Sequence, residues 1–128
     1  MTTWSDVQKH MREKFKLQDD HPDMMSMVWS YDDGRSQKVI LRRFEAADRE
    51  MVEFKSAFAT KGDVDAETML QDNSKLPLAT VALSGDVYLV VYNALLHTLV
   101  MDDLEFCLSR VAAVADTLEE KYVRQDRF

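Results

Sequence analysis

Residues 76–122 read LPLATVALSGDVYLVVYNALLHTLVMDDLEFCLSRVAAVADTLEEKY, and this stretch predicts a β-hairpin followed by one long amphipathic helix. Ser84, Gly85 and Asp86 separate two apolar, β-prone runs at 78–83 and 87–95. Because glycine adopts positive φ angles at little cost, Gly85 is where the chain can reverse between the two strands. The stretch lacks a nucleophile with a readable partner, a metal-ligand cluster and a phosphate-binding loop, so it offers surface for packing and binding.

The long helix is predicted to begin at Asp102, whose side chain can cap it, with Glu105 at the position of a capping box. Apolar residues then recur at three- and four-residue steps, which places them on one buried face of the helix. This stripe consists of Leu104, Cys107, Leu108, Val111, Val114, Ala115, Leu118 and Tyr122.

Upstream of this unit, residues 4–17 predict a first helix, because Trp4, Val7, Met11 and Phe15 share one helical face. Thr3 is a suitable N-cap, and Asp6 stands three residues later. Residues 24–31 and 37–44 predict a hairpin around a turn at 32–35, followed by a polar loop at 45–50. Residues 51–59 predict a further strand, and Asp63 can cap a short helix from 64 to about 72.

The predicted order is therefore α-β-β-β-α-β-β-α, an α+β fold with an antiparallel sheet of about five strands and three helices. The length of 128 residues fits a single domain spanning 1–128. We expect the apolar faces of the strand at 51–59 and of the long helix to form one core. Its predicted members are Val52, Phe54, Phe58, Leu104, Leu108, Val111 and Leu118.

Composition narrows the classes of partner. Sixteen Lys and Arg against 23 Asp and Glu give a net charge of −7, which disfavours binding to nucleic acid or to an anionic membrane. One cysteine, Cys107, cannot form an internal disulfide, and the first residues contain no long apolar run for export or anchoring. We therefore expect a cytoplasmic protein that uses no cofactor.

Candidate chemistry is sparse, and we expect no enzyme. Asp19, Asp20, His21 and Asp23 are the only cluster that suggests a metal, but four polar residues around a proline are typical of an exposed loop. His97 could act as a general base, yet no Ser or Cys nucleophile has a readable relation to it. Cys107 lies on the inward stripe of the last helix, which favours burial over reactivity.

Methionine is abundant, with eight in the chain and three close together at Met24, Met25 and Met27. Flexible Met side chains can adapt to varied partners, although filling gaps in the core is their commoner role. Neighbouring residues of a strand point to opposite faces, so Met24 and Met25 cannot share one core. This pattern suggests an apolar partner-binding groove between the first helix and the first strand. Its predicted residues are Trp4, Met11, Met25, Met27 and Trp29.

The order of elements, the acidic charge, the short middle helix and the closing pattern LPLATVALSGDVYLVVYN…DDLEFCLSRVAAVADTLEEKY resemble the class I type III secretion chaperone-like fold. Within it, the chain looks most like the YbjN-type bacterial proteins, described as sensory transduction regulators. The resemblance implies a small acidic homodimer that binds other proteins without ATP. It also implies that Met69 and Leu70, in the middle helix, lie at the subunit contact.

A dimer also follows from the patterning of the last strand, which carries apolar side chains on both faces. Three helices cannot cover both faces of a five-stranded sheet, so one face is expected to be buried against a second chain. We expect that face to carry Tyr88, Val90 and Tyr92, beside Met69 and Leu70.

Three functional hypotheses remain at this point. The first is a chaperone-like homodimer that holds an extended or helical segment of a client protein. The second is a protein-binding regulator without chaperone activity. The third is a small-molecule-sensing regulatory domain, or an enzyme, with a pocket under the sheet. The sequence disfavours the third because it shows no convergent set of polar residues.

Overall fold

The structure is a computed structural model that describes residues 1–124 and 126–128. Three helices and a six-stranded sheet confirm the α+β class, with one strand more than predicted. The strands lie in the order β1-β2-β3-β4-β6-β5, and every neighbouring pair is antiparallel. The elements are α1 (Trp4–Lys14), β1 (Leu17–His21), β2 (Met24–Ser30), β3 (Ser36–Ala46), β4 (Arg49–Thr60), α2 (Ala66–Asn73), β5 (Thr80–Ser84), β6 (Val87–Leu95) and α3 (Met101–Tyr122).

The additional strand is β1, where the sequence predicted a loop. It pairs with β2 at the sheet edge, and its only apolar residue is Leu17. Its acidic residues are held by neighbours: Asp19 accepts a hydrogen bond from Ser26, and Arg12 donates two hydrogen bonds to Asp20. The strand therefore depends on backbone pairing and ion pairs rather than on an apolar face, which is why no alternating pattern reveals it.

The hairpins agree with the sequence except at one turn. Gly85 joins β5 to β6 with a φ of +60°, as expected. The predicted polar loop at 45–50 is absent, because β3 runs to Ala46 and β4 begins at Arg49. Between them, Ala47 and Asp48 both have positive φ angles, 52° and 61°. Two consecutive left-handed residues are typical of the tightest hairpin turns, in which the strands need no longer loop.

The helix starts are predicted correctly for α1 only. Thr3 and Asp6 form the reciprocal capping box. The N-cap of α2 is Asp65 rather than Asp63. The helix α3 begins at Met101 after Val100, which provides no side-chain cap, so the predicted capping by Asp102 is wrong. Asp102 still lies in the first turn, where a carboxylate interacts favourably with the positive end of the helix dipole.

The core lies between α3 and one face of the sheet, and all seven predicted core residues belong to it. The helix α1 lies on the same side, since its His10 contacts Glu105 of α3 at 3.1 Å and its C-cap residue Phe15 lies 6.1 Å from the Trp29 ring. The opposite face carries no helix among the described residues. We call it the open face; it includes Ile40, Phe44, Met51, Leu89 and Val91.

Candidate protein-binding surfaces

The predicted groove between α1 and the strand at 24–30 is not an open surface. Met11 and Met25 have no exposed surface, and Trp4 and Met27 are also buried. Trp29 is half-buried. All five predicted groove residues belong to the core or pack against it. Met25, Met27 and Trp29 point to the face of the sheet that the helices cover, and Trp4 and Met11 of α1 pack on the same side. These five residues are Trp4, Met11, Met25, Met27 and Trp29.

A hydrogen bond joins the start of α1 to the turn between β1 and β2: Trp4 Nε1 donates to the carbonyl of Pro22 at 2.7 Å. Met24 points to the other face of the sheet, as strand alternation requires, and is half-buried. The sequence identified the correct apolar residues but assigned them to a binding surface instead of the core.

The sequence prediction also places the dimer contact on the wrong face of β6. Phe54 is paired with Tyr92, and Ser56 with Val90, so these β6 residues point toward α3. Val90 has no exposed surface, and Tyr88 is buried against Phe58, with ring centroids 6.0 Å apart. The uncovered side chains of β6 are instead those that alternate with them, such as Leu89 and Val91.

Of the two α2 residues that the resemblance placed at a subunit contact, Met69 is buried and Leu70 is 69% exposed. Leu70 lies beside Leu83 of β5, which is 43% exposed, across a shallow apolar cavity of about 140 Å³. We call this region the α2–β5 surface; its residues are Ala66, Met69, Leu70, Val81, Ala82, Leu83 and Tyr88.

The strand β5 forms one edge of the sheet and carries no charged residue between Thr80 and Ser84. The Val81 N–H on its outer side donates to Asn73 Oδ1 at 2.8 Å. No side chain of the described residues accepts from the Leu83 N–H in the same way. An uncharged, apolar edge strand is the kind that other chains pair with, whereas the acidic β1 at the opposite edge resists such pairing.

A second apolar surface lies between the end of β6 and the start of α3. Phe106 is 54% exposed there and faces a groove of about 550 Å³. Asp103 also lines this groove, and so does the buried Cys107. We call this the β6–α3 groove; it is lined by Leu78, Tyr92, Asn93, Ala94, Leu95, Thr98, Leu99, Asp103, Phe106 and Cys107.

The residues considered for chemistry have structural partners. His97 Nδ1 lies 3.1 Å from the Thr2 carbonyl oxygen, and its Nε2 lies 3.5 Å from a Glu50 carboxylate oxygen. Burial raises the pKa of the Cys107 thiol, and the neighbouring Asp103 adds to this, so the reactive thiolate is disfavoured. Asp19 forms an ion pair with Lys38 and accepts a hydrogen bond from the Ser26 hydroxyl.

The C-terminal segment is anchored by an acidic cluster. The sequence did not predict this cluster. Carboxylate oxygens of Asp116, Glu119 and Asp126 lie within 4.8 Å of one another. The Arg35 guanidinium donates to Asp116 at 2.8 Å and to Glu119 at 3.2 Å, and so supplies the compensating charge. Burial raises the pKa of Glu119, which is fully buried. Arg35 lies in a turn more than eighty residues from its partners, so no local pattern reveals the contact.

The C-terminal segment forms hydrogen bonds with two carboxylates, those of Glu119 and Asp63. Glu119 accepts hydrogen bonds from the backbone N–H groups of Arg127 at 2.7 Å and Phe128 at 2.8 Å. The Arg127 guanidinium in turn donates to Asp63 at 2.6 Å. Asp63 also accepts from the Thr60 N–H and hydroxyl, at 2.7 and 2.8 Å. One carboxylate thus joins the end of β4 to the C-terminal segment.

These hydrogen bonds predict a pH-dependent stability. The bonds from Thr60, followed by the Arg127 contact, lower the pKa of Asp63 below its ordinary value of 3.8. Because the folded pKa is the lower one, ionised Asp63 stabilises the fold above pH 3.8 and stops doing so as the pH falls through the folded pKa. We expect Asp63→Asn to lower the free energy of unfolding at pH 7, with the loss shrinking in acid.

Urea unfolding at a series of pH values measures this difference. Asp32→Asn is the control, because Asp32 forms no hydrogen bond or ion pair in the described part of the chain. An Asp63→Asn deficit that stays constant from pH 7 into the acid range would contradict the role given to the carboxylate charge.

Within the residues described, no helix is both long and apolar enough to cross a bilayer. The fold defines a structural class: an α+β domain of three helices and a six-stranded antiparallel sheet. No protein-family model matches the sequence, and no curated protein is detectably similar to it.

A solved structure is similar in fold, the crystal structure of the ExsC–ExsE complex. The match has a TM-score of 0.67 at 12% sequence identity and covers 95% of this chain and 97% of that one. It confirms the chaperone-like fold that the sequence resemblance implied.

Proposed function

We propose that this chain is a chaperone-like, non-enzymatic protein that acts as a homodimer and holds a segment of a client or regulatory partner on an apolar surface. The observation that carries the proposal is the fold match to a structure of a protein–protein complex over 95% of the chain. On the sequence resemblance, we also place the protein in the bacterial cytoplasm, nearest the YbjN-type proteins.

The exposed apolar side chains support a binding role. Leu70, Leu83 and Phe106 are each more than 40% exposed, and they lie on two surfaces rather than singly. Contiguous apolar patches of this kind usually mark sites where another protein binds. Leu70, Leu83 and Phe106 lie outside the core, so a partner can reach them without opening the fold.

For the homodimer, we propose the α2–β5 surface as the contact. A two-fold axis beside β5 would bury Leu70 and Leu83 of both chains at once. It would also pair the two uncharged edge strands, which removes the unpaired backbone of β5 from water. This assignment replaces the face of Tyr88 and Val90, which the fold itself covers.

Light scattering at micromolar concentration tests the dimer. We expect twice the chain mass of 14.8 kDa for the natural protein and a single chain mass for Leu70→Arg, because two guanidinium groups would be buried face to face. Val28→Arg is the matched control: Val28 is also exposed and apolar, but it lies on the open face away from β5.

Two results would contradict the proposed contact. A monomeric natural protein would exclude the homodimer. A dimer that survives Leu70→Arg but dissociates on Leu89→Arg would place the contact on the open face instead. For the alternative of a small-molecule sensor, the decisive finding would be a metabolite released by denaturation in a one-to-one ratio with the chain.

A further inference from the structure

The last four residues of β6 have a paired strand on one side only. On the β4 side, the pairing continues from Tyr92 opposite Phe54 to Leu95 opposite Met51. On the other side, β5 begins at Thr80, opposite Val91, and does not reach further along β6. Residues 92–95 thus form a short stretch of open sheet edge, which we call the β6 open edge.

The backbone groups on that side can be assigned. Successive residues of an antiparallel strand direct their N–H and C=O groups to opposite sides. The Leu96 N–H donates to the Glu50 carbonyl on the β4 side, and the Val91 carbonyl accepts from Thr80 Oγ1 on the β5 side. By alternation, Asn93 and Leu95 direct their backbone groups away from β4.

Neither Asn93 nor Leu95 forms a backbone hydrogen bond on that side with any residue of the described chain. Their N–H and C=O groups are therefore unpaired within the described residues, at the spacing that a further β-strand would match. Such an edge is where extended peptides add to a sheet, with main-chain bonds giving affinity and nearby side chains giving selectivity.

The side chains beside the open edge define that selectivity. Leu78 and Phe106 give the β6–α3 groove an apolar wall. Asp103 adds a carboxylate that forms no ion pair within residues 1–124 and 126–128. The net charge of the chain is −7, so its field also favours a cationic ligand.

We propose that the β6 open edge receives an extended segment of a partner protein, added as a strand beside β6. The segment presents an apolar side chain to Phe106 and a lysine or arginine to Asp103. This inference rests on the proposed function and names the chemistry of the segment that the protein holds. It also differs from the proposed dimer contact, which uses the outer side of β5.

The test uses a synthetic hexapeptide, Thr-Val-Thr-Lys-Thr-Val, which places valine and lysine on the same face of a strand. The peptide is blocked at both ends and titrated into the protein, and binding is followed by NMR. We expect the amide signals of Asn93 and Leu95 to shift and their hydrogen exchange to slow. A peptide N-methylated at alternate residues cannot form the strand hydrogen bonds, so it should bind about tenfold more weakly. Replacing its lysine with glutamate should weaken binding similarly or more.

Variants of the protein check the side-chain contacts. Asp103→Asn should reduce affinity for the lysine peptide by about fivefold, whereas Asp102→Asn should not, because Asp102 does not line the groove. Phe106→Ser should weaken binding of both the lysine and the glutamate peptide. Phe106 is more than half exposed, so an unchanged melting temperature would show that this variant remains folded.

Several outcomes would overturn the site. One is the absence of a response at Asn93 and Leu95 up to millimolar peptide; another is equal binding of the N-methylated peptide. Peptide shifts confined to Leu70 and Leu83 would reject this edge while leaving the proposed protein-binding function intact. Concentration-dependent shifts of Asn93 without peptide would assign the edge to a second copy of the chain.

Discussion

Replacing Met25 with glutamate is expected to destabilise the fold by about 3 to 5 kcal/mol, the cost typical of an uncompensated buried charge. Met25 has no exposed surface, and it lies opposite Leu41 on the face of the sheet that the helices cover. A carboxylate there would lose its hydration without gaining a partner. Urea unfolding followed by circular dichroism measures the loss.

Val28→Glu is the matched control, because Val28 lies in the same strand but points to the open face and is 41% exposed. Its effect should stay within about 0.5 kcal/mol, as for most surface substitutions. A Met25→Glu protein that unfolds like the natural one but loses its partner would contradict the core assignment. It would restore the groove between α1 and β2.

The substitution with the next largest effect is Leu108→Ala, which is expected to cost about 2 to 5 kcal/mol. Leu108 is fully buried in the stripe of α3 that covers the sheet, so removing its side chain leaves a cavity between helix and sheet. Thermal and urea unfolding both report the change.

Thr117→Ala in the same helix is the control for Leu108→Ala, since Thr117 is exposed and alanine is a good helix former. A Leu108→Ala protein with an unchanged melting temperature would mean that α3 does not pack on the sheet through this stripe.

The elements with strong apolar periodicity are the ones that the sequence predicts well. The stripe of α3 and the alternation of β4 converge on one core because each pattern leaves a single face to bury. The strand β1 escapes prediction because LQDDH carries one apolar residue and is stabilised by its pairing with β2. The turn at Ala47 and Asp48 contains no glycine to mark it.

The binding surfaces are harder to predict than the core. Both faces of β6 are apolar, so only its register with β4 decides that Val90 points inward and Leu89 outward. The late start of β5, at Thr80 opposite Val91, produces the β6 open edge. The pairing of β4 with β6 joins distant segments, and a strand that is apolar on both faces specifies its own register only weakly.

The most direct test of the proposed function is to identify what the protein binds in its own cells. The protein purified from them under native conditions can be weighed by mass spectrometry without denaturation. We expect a species of two 14.8 kDa chains with one copy of a partner protein, which dissociates into those components on activation. A mass equal to the chains alone, or to the chains with only a small molecule bound, would contradict the account.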